Sequence, residues 1–347
     1  MLSGMDPWVF HVDLDQFIAA VEVLRHPELA GRPVVVGGDG DPTKRGVVST
    51  ASYEAREFGV RSGMALRTAL KRCPEAVFLA VDAERYLDAS RDVMATLRSF
   101  PAVVEVLGWD EAFMAVDAKD PETLARAVQR AVLERTQLWC SIGVGDNKLR
   151  AKLATGFAKP RGVFRLTREN WRRVMGARPT GDLWGVGAKT AKKLAELGIE
   201  TVEQLAAADE GPLKARFGPN IGPWIRRLGT GDDDSPVSAA PHVARGRGRE
   251  RTFQQDIADP DEVRAQVSRL AHELLGDELA DESRRIVRAV VKIRFAPFFT
   301  NTHGARLDQP SRDPTAFEHA ALEALSKFTL DRPVRLVGVR AELAPPE

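Results

Sequence analysis

The stretch that decides the fold is Trp8-Val9-Phe10-His11-Val12-Asp13-Leu14-Asp15-Gln16-Phe17-Ile18-Ala19-Ala20-Val21-Glu22. It begins as an apolar run with β-branched residues, and apolar positions from Phe17 onward recur at helical spacing, which predicts a strand that passes into a helix. Asp13 and Asp15 lie at that junction, where carboxylates project from a rigid strand end. The junction is therefore a candidate metal site. On this stretch alone the simpler interpretation stays open, in which Asp15 caps the helix and Asp13 is solvated.

A second acidic pair, Asp110-Glu111, lies within residues 104–116. Two apolar runs flank Gly108-Trp109-Asp110-Glu111, a pattern that predicts a β-hairpin with adjacent carboxylates at its tip. One strand end and one hairpin tip can bring three carboxylates together. Hard divalent cations such as magnesium need that kind of cluster, and two of them about 3.5 to 4 Å apart clamp the attacking and leaving oxygens of a phosphoryl transfer.

With both acidic pairs in view, the chain resembles the Y-family, or lesion-bypass, DNA polymerases, and most closely the DinB (DNA polymerase IV) branch. The resemblance runs nearly end to end, with the motifs in family order. It implies an α+β multidomain fold: a right-hand polymerase with a split-βαβ palm, small fingers, a helical helix-hairpin-helix thumb and an α/β little-finger domain. The expected ranges are 1–16 and 82–166 for the palm, 17–81 for the fingers, 167–230 for the thumb, 231–244 for a linker and 245–347 for the little finger.

The composition is that of an ordinary globular protein. A chain of 347 residues is too long to fold around one ordinary hydrophobic core, so two to four domains are expected. The two cysteines, Cys73 and Cys140, have no CxxC spacing, so neither a zinc site nor a disulfide framework is indicated. No apolar run is long enough to span a bilayer, and we expect a cytoplasmic monomer with no membrane partner. A net charge of +1 decides nothing, because a DNA-binding protein can balance a basic groove with acidic faces.

The segment 46–60 predicts a strand followed by a helix, with Tyr53 and Arg56 on one helical face. A helix start with an arginine and a phenol attracts nucleotide phosphates, although the pattern alone favours an ordinary amphipathic helix with one exposed arginine. The resemblance favours the first interpretation, because the family's nucleotide-binding Thr, Tyr and Arg correspond to Thr50, Tyr53 and Arg56. It also assigns Lys159, in Lys159-Pro160-Arg161-Gly162, to the triphosphate.

The block Leu183-Trp184-Gly185-Val186-Gly187-Ala188-Lys189 resembles a helix-hairpin-helix, followed by a basic amphipathic helix. Its glycines let the backbone approach a phosphate, and the helix start offers free N–H donors. Such a contact holds duplex DNA without reading its sequence. We therefore expect Gly185, Gly187 and Lys189 to contact DNA, while a plain helical turn is the alternative.

Basic residues alternate along two predicted strands near the C-terminus. At a period of two, each set lies on one face of its strand, and a sheet with one basic face fits a phosphate backbone. This pattern resembles the little finger of the family. The predicted DNA contacts are Arg245, Arg247, Arg249, Arg251, Arg288, Lys292 and Arg294.

The resemblance implies template-directed addition of nucleotides to a primer 3′ end, without proofreading. Asp13, Asp110 and Glu111 would be the catalytic carboxylates and would hold two magnesium ions, with manganese as a possible substitute and with help from the Leu14 carbonyl. The implied partners are primer–template DNA and deoxyribonucleoside triphosphates. A DNA-binding scaffold without catalysis and a palm-type nucleotidyl cyclase are the alternatives, and the basic strands disfavour the cyclase.

Ile18 departs from the family, which usually has Phe or Tyr at this position. Phe17 and Ile18 are expected to lie at the nucleotide, where the usual aromatic ring stacks under the sugar and clashes with a 2′-hydroxyl. Because isoleucine is shorter and narrower, we expect ribonucleotides to be accepted as well; a tolerated packing variant is the alternative. The terminal Ala344-Pro345-Pro346-Glu347 lacks the tail with which many DinB proteins bind the sliding clamp, so clamp binding stays open.

Overall fold

The computed structural model describes residues 8–346, so the expected palm residues 1–7 and the final Glu347 lie outside the described part. The chain forms two compact units. One contains the sequence up to Asp41 and from Val47 to Pro241, and the other contains residues 42–46 together with the chain from His242 onward. Of the helices in the described residues, none is long and apolar enough to cross a lipid bilayer.

The strands of the described residues are, in chain order, β1 (Trp8–Leu14), β2 (Val34–Val36), β3 (Thr50–Ala51), β4 (Val77–Leu79), β5 (Ala102–Val106), β6 (Glu111–Val116), β7 (Cys140–Gly145), β8 (Val163–Leu166), β9 (Gly246–Ile257), β10 (Ile286–Phe295), β11 (Phe299–Ser311) and β12 (Val334–Leu343). The α-helices are α1 (Phe17–Arg25), α2 (Tyr53–Glu57), α3 (Leu66–Arg72), α4 (Ala83–Arg98), α5 (Pro121–Thr136), α6 (Lys148–Ala158), α7 (Arg168–Met175), α8 (Ala188–Ala195), α9 (Val202–Ala207), α10 (Glu210–Phe217), α11 (Ile221–Thr230), α12 (Pro260–Gly276) and α13 (Pro314–Ser326).

An Asp-Pro pair begins the helices α5, α12 and α13. In each, the aspartate is the N-cap and accepts a backbone N–H of the first turn, while the proline occupies a position whose N–H has no helical partner. These pairs are Asp120-Pro121, Asp259-Pro260 and Asp313-Pro314. Local sequence therefore fixes where these helices start.

A five-stranded sheet with the order β5-β6-β1-β7-β8 carries the acidic motifs. Side chains alternate across β1: Phe10, Val12 and Leu14 enter the main core with residues of α4 and α5, whereas Val9 packs with Ala151 of α6. Within this sheet β7 and β8 pair in parallel, whereas the other neighbouring strands pair antiparallel. The reason is that α6 connects them as a crossover helix, which brings the second strand back in the same direction.

The rest of this unit is built on two smaller cores. A three-stranded sheet with the order β3-β2-β4 packs with α2 and α3 around residues such as Val35 and Leu66. Residues 168–230 form helices α7 to α11 around Trp171, Met175 and Leu205, in the region expected to be the thumb. The hairpin motif there begins with only a short 3₁₀ turn, Thr180–Asp182, before α8.

The first half of the expected linker is attached to the five-stranded domain rather than free. Asp233 accepts the backbone N–H of Leu149 at 3.1 Å in the first turn of α6. Glu105 accepts the backbone N–H of Ser238 at 2.8 Å and also the ammonium of Lys148. Residues 231–238 therefore continue the first unit, in agreement with its end at Pro241.

The second unit contains a four-stranded antiparallel sheet with the order β11-β10-β12-β9. Helices α12 and α13 pack against one face of this sheet, around Phe317, Val291 and Val339. The opposite face of the sheet is not covered by these helices. Residues 42–46 group with this unit because Arg45 contacts Asp256 and the Phe253 carbonyl at the end of β9.

Candidate active site

The end of β1 and the start of β6 bring the two acidic motifs together. Asp13 lies opposite Glu111 in the antiparallel register, and the Leu14 N–H donates to the Asp110 carbonyl at 2.9 Å. Glu111 is the first residue of β6, and β5 and β6 form the predicted hairpin. Both predicted acidic pairs therefore contribute to one end of the sheet.

The carboxylates of this site affect one another electrostatically. Burial raises the pKa of Asp110, and the neighbouring negative charges of Asp13 and Glu111 raise it further. Ligand atoms of Asp13, Glu111 and His11 all lie within 4.8 Å of one another. This group contains two carboxylates and an imidazole, and Asp110 is linked to it by the effect of Asp13 and Glu111 on its pKa. Carboxylate oxygens at a half-buried strand end suit a hard divalent cation, so these residues fit the expected metal.

Lys152 of α6 and Lys159, directly after α6, contact these carboxylates. Lys159 forms an ion pair with Asp13, and Lys152 forms one with Glu111. The contacts of His11 and Lys152 lower the pKa of Glu111 to about 2, against an opposing effect of burial. Lys148, in the first turn of α6, is buried and donates to Glu105 at 2.7 Å, so it does not contact these carboxylates.

His11 is a site residue that the sequence analysis did not identify. Its Nε2 lies 3.1 Å from Oε2 of Glu111, and its Nδ1 lies 2.8 Å from the Thr155 hydroxyl. The sequence could have indicated His11, because it lies two residues before Asp13 and residues two apart share a face of a strand. Burial lowers the pKa of His11, so its neutral form is favoured.

Asp15 neither caps α1 nor joins the carboxylate cluster. The N-cap is Gln16, in a left-handed conformation with φ 46°. The buried Asp15 carboxylate accepts the Tyr53 hydroxyl at 2.8 Å, the Ser141 hydroxyl at 2.9 Å and the Arg161 N–H at 2.8 Å. Asp15 therefore ties the strand end to α2 and to the turn after α6.

Two predicted nucleotide residues, Tyr53 and Lys159, contact the same strand end through Asp15 and Asp13. The Arg56 guanidinium lies 5.0 Å from the centre of the Tyr53 ring, and its Nε donates to the Ala51 carbonyl at 2.9 Å. Thr50 lies in β3, directly before this segment. Phe17 and Ile18 begin α1, and Ile18 exposes only 3% of its surface.

The predicted hairpin before α8 has the backbone that its glycines indicate. Gly185 has φ +94°, and a Cβ there would lie 2.9 Å from the Trp224 ring, so only glycine fits without strain. Gly187 is the N-cap of α8, and Lys189 is exposed in its first turn. The free N–H groups of this helix start are available to a phosphate.

The basic residues of the second unit do not share one face, so the expectation of a single basic face is wrong. Glu250 contacts Lys292, so these two residues lie on the same face of the sheet. Arg249 and Arg251 flank Glu250 and therefore lie on the opposite face, where both contact Glu273 of α12.

The uncovered face carries cations from β10 and also from β11 and β12, which the predicted DNA contacts did not include. Arg288 and Lys292 alternate along β10, and Arg306 of β11 and Arg340 of β12 lie opposite positions of β10. Some of these charges are already paired, since Arg288 lies 3.6 Å from Glu342. Arg247 lies near the start of the edge strand β9, Arg245 directly precedes this strand, and Arg294 donates to Thr300 of β11.

Three family models match successive parts of the chain. The model described as impB/mucB/samB family matches residues 12–156, and the model of the C-terminal domain of that family matches residues 245–346. Between them, a model described as DNA polymerase-iota, thumb domain, matches residues 181–233. The matched ranges correspond to the acidic sheet, the helical hairpin region and the four-stranded sheet.

Curated relatives match over nearly the full length. "DNA polymerase IV 2" of Mycobacterium tuberculosis (strain H37Rv) is 51% identical over 99% of this chain and 100% of the relative. "DNA polymerase IV" of Methanoculleus marisnigri is 38% identical over 96% of this chain and 94% of the relative. Among solved structures, a "Y-family DNA polymerase chimera Dbh-Dpo4(243-245)-Dbh" has a TM-score of 0.86 at 24% identity, covering 96% of this chain and 98% of the other, which supports the fold.

Proposed function

The chain belongs to the DNA polymerase IV (DinB) branch of the Y-family DNA polymerases, and we propose that it extends primers with both deoxyribonucleotides and ribonucleotides at a two-magnesium centre. It is a DNA-directed DNA polymerase of the lesion-bypass type, acts on primer–template DNA and nucleotides, and depends on a divalent metal. The observation that carries the proposal is that Asp13 lies opposite Glu111, with Asp110 close enough for both charges to raise its pKa. The aliphatic Ile18 follows in the first turn of α1.

Asp13, Asp110 and Glu111, with the Leu14 carbonyl, are the proposed magnesium ligands, and manganese can replace magnesium. The mutual effect of the three charges on the Asp110 pKa supports this assignment, because a dication would relieve that repulsion. When bound, the ions would lower the pKa of the primer hydroxyl and neutralise charge on the triphosphate.

The side chains around the carboxylates are proposed to orient the nucleotide. Lys159 lies at Asp13, next to where the phosphates would bind, and its ammonium can pass from the carboxylate to the triphosphate. Arg56 and Tyr53 form a stacked pair on α2, and the start of this helix follows Thr50. Holding the phosphates in place supplies much of the rate acceleration in such a reaction.

Ile18 is proposed to leave the sugar site open to a 2′-hydroxyl. Its side chain is almost wholly buried in the main core with Phe17 and Val36, so it offers no flat surface above the core. An aromatic side chain at this position would extend further from the helix. The site is therefore expected to discriminate weakly between ribose and deoxyribose.

Synthesis is proposed to proceed without proofreading.

The test is a primer-extension assay with magnesium, in which deoxyribonucleotides and ribonucleotides are offered separately. Wild-type protein should extend with both sugars, Ile18→Phe with deoxyribonucleotides only, and Asp110→Ala with neither. Strong rejection of ribonucleotides by the wild type would remove the role given to Ile18. Extension by Asp110→Ala would remove the metal assignment, and no extension by the wild type would favour the scaffold alternative.

A further inference from the structure

The turn between β10 and β11 exposes two adjacent phenyl rings. Phe298 is 66% exposed and Phe299 is 53% exposed, whereas Phe295, at the end of β10, is buried in the core of this unit. Folding therefore buries one phenyl of this turn and leaves the next two in water. Large apolar side chains that stay exposed side by side mark a surface that contacts a partner.

Arginines lie against both exposed rings. The Arg335 guanidinium lies 4.7 Å from the centre of the Phe298 ring, and that of Arg294 lies 5.5 Å from it. Arg332 lies 5.6 Å from the centre of the Phe299 ring. The turn thus presents flat aromatic surfaces between cations, a combination that we call the aromatic turn, defined as Phe298, Phe299, Arg294, Arg332 and Arg335.

Positive charge exceeds negative charge at the aromatic turn. Asp331 lies 3.9 Å from Arg332, and Asp256 near Arg335 is already paired with Arg45. Neither carboxylate contacts Arg294, which instead donates to the Thr300 hydroxyl at 2.9 Å. A polyanion is therefore the favoured partner, rather than an apolar protein surface.

We propose that the aromatic turn binds single-stranded DNA by stacking unpaired bases on Phe298 and Phe299, while Arg294, Arg332 and Arg335 contact the flanking phosphates. A base in a duplex has both of its faces covered by neighbouring base pairs, so a side chain can stack only on an unpaired or terminal base. Aromatic side chains among cations are the usual design of surfaces that bind single strands without sequence preference. This inference rests on the proposed function only for the premise that DNA is the partner, and it does not involve catalysis.

The test measures binding of the full chain to a fluorescently labelled oligothymidylate and, separately, to a blunt duplex of equal length. Phe298→Ala with Phe299→Ala should weaken single-strand binding by at least about fivefold and change duplex binding less than twofold. The matched control is Phe58→Ala, which removes a 45% exposed phenyl of the first unit and should change neither affinity.

Replacements at Phe298 separate ring stacking from simple apolar contact. Phe298→Trp should keep the single-strand affinity and add indole fluorescence that the oligothymidylate quenches, whereas Phe298→Leu should bind as weakly as Phe298→Ala. Because the ring is exposed, none of these changes should shift the thermal midpoint. Full affinity in Phe298→Leu, unquenched indole in Phe298→Trp, or equal losses for single strand and duplex would overturn the proposal. Unchanged single-strand affinity in the double alanine variant would also overturn it and would favour a protein partner.

Discussion

Nζ of Lys152 lies 3.1 Å from Nε2 of His11 and contacts the same Glu111 oxygen that His11 approaches. The Nδ1 of His11 lies 2.8 Å from the Thr155 hydroxyl, and this contact holds the ring in its orientation. His11 therefore contacts both Glu111 and the lysine paired with it, and acts as a positioning residue for this carboxylate.

We expect His11→Phe to raise the magnesium concentration needed for half-maximal primer extension by about 10- to 100-fold, the usual effect of removing a residue that orients a metal ligand. The nucleotide KM at saturating magnesium should change little. Val9→Ala is the control, because Val9 lies on the same face of β1 and only packs. An unchanged magnesium requirement in His11→Phe would refute the positioning role.

Gly231→Ala should destabilise the thumb. Gly231 ends α11 with φ +73°, and a Cβ there would lie 2.7 Å from the Trp171 ring. The left-handed conformation costs about 1 kcal/mol, and overpacking against the ring adds about 1–3 kcal/mol. The measurement is the urea midpoint, followed by tryptophan fluorescence.

The matched control for Gly231 is Gly198→Ala. Gly198 has φ +75°, but its Cβ would meet no atom within 4 Å, so only the conformational cost of about 1 kcal/mol applies. Equal shifts of the urea midpoint in the two variants would show that contact with Trp171 is not what requires glycine at residue 231.

Asp233→Ala should destabilise the first unit by about 1 kcal/mol. The Asp233 carboxylate accepts the Leu149 N–H at the positive end of α6 and so acts as a helix cap supplied from a distant segment. Asp234→Ala removes a neighbouring side chain that is 85% exposed and should leave the unfolding midpoint unchanged. A smaller effect of Asp233→Ala at high salt would indicate that interaction with the helix dipole contributes.

Neither cysteine should react with a thiol reagent in the folded protein. Cys73 and Cys140 are buried, and burial raises the pKa of both thiols, so little reactive thiolate forms near neutral pH. Labelling with an aromatic disulfide should detect no thiol before denaturation and both afterwards. Rapid labelling of one thiol in native protein would contradict its burial.

The acidic centre could be predicted because its signals are local. The change from strand to helix near Phe17 and the turn before Glu111 can each be recognised within about a dozen residues. The pairing of β1 with β6 then brought Asp13 opposite Glu111. The role of Asp15 could not be predicted, because its partners Tyr53 and Ser141 lie 38 and 126 residues away.

The basic strands show the opposite case. Alternation of Arg249 and Arg251 correctly predicts that they share a face of β9. Which face that is depends on α12, whose Glu273 contacts both guanidinium groups. Periodicity shows which side chains of one strand share a face. It does not show which face is covered, because that depends on where a later helix packs.

The carboxylates beside the cations of the four-stranded sheet also affect how binding depends on salt. DNA releases condensed counterions when protein cations neutralise its phosphates, and this release makes affinity fall as salt rises. Lys292 is already neutralised by Glu250, and Arg249 by residues of α12, so neither is a free charge that displaces a sodium ion from the phosphates. The affinity of this unit for DNA should therefore fall less steeply with added salt than the number of its arginines and lysines suggests.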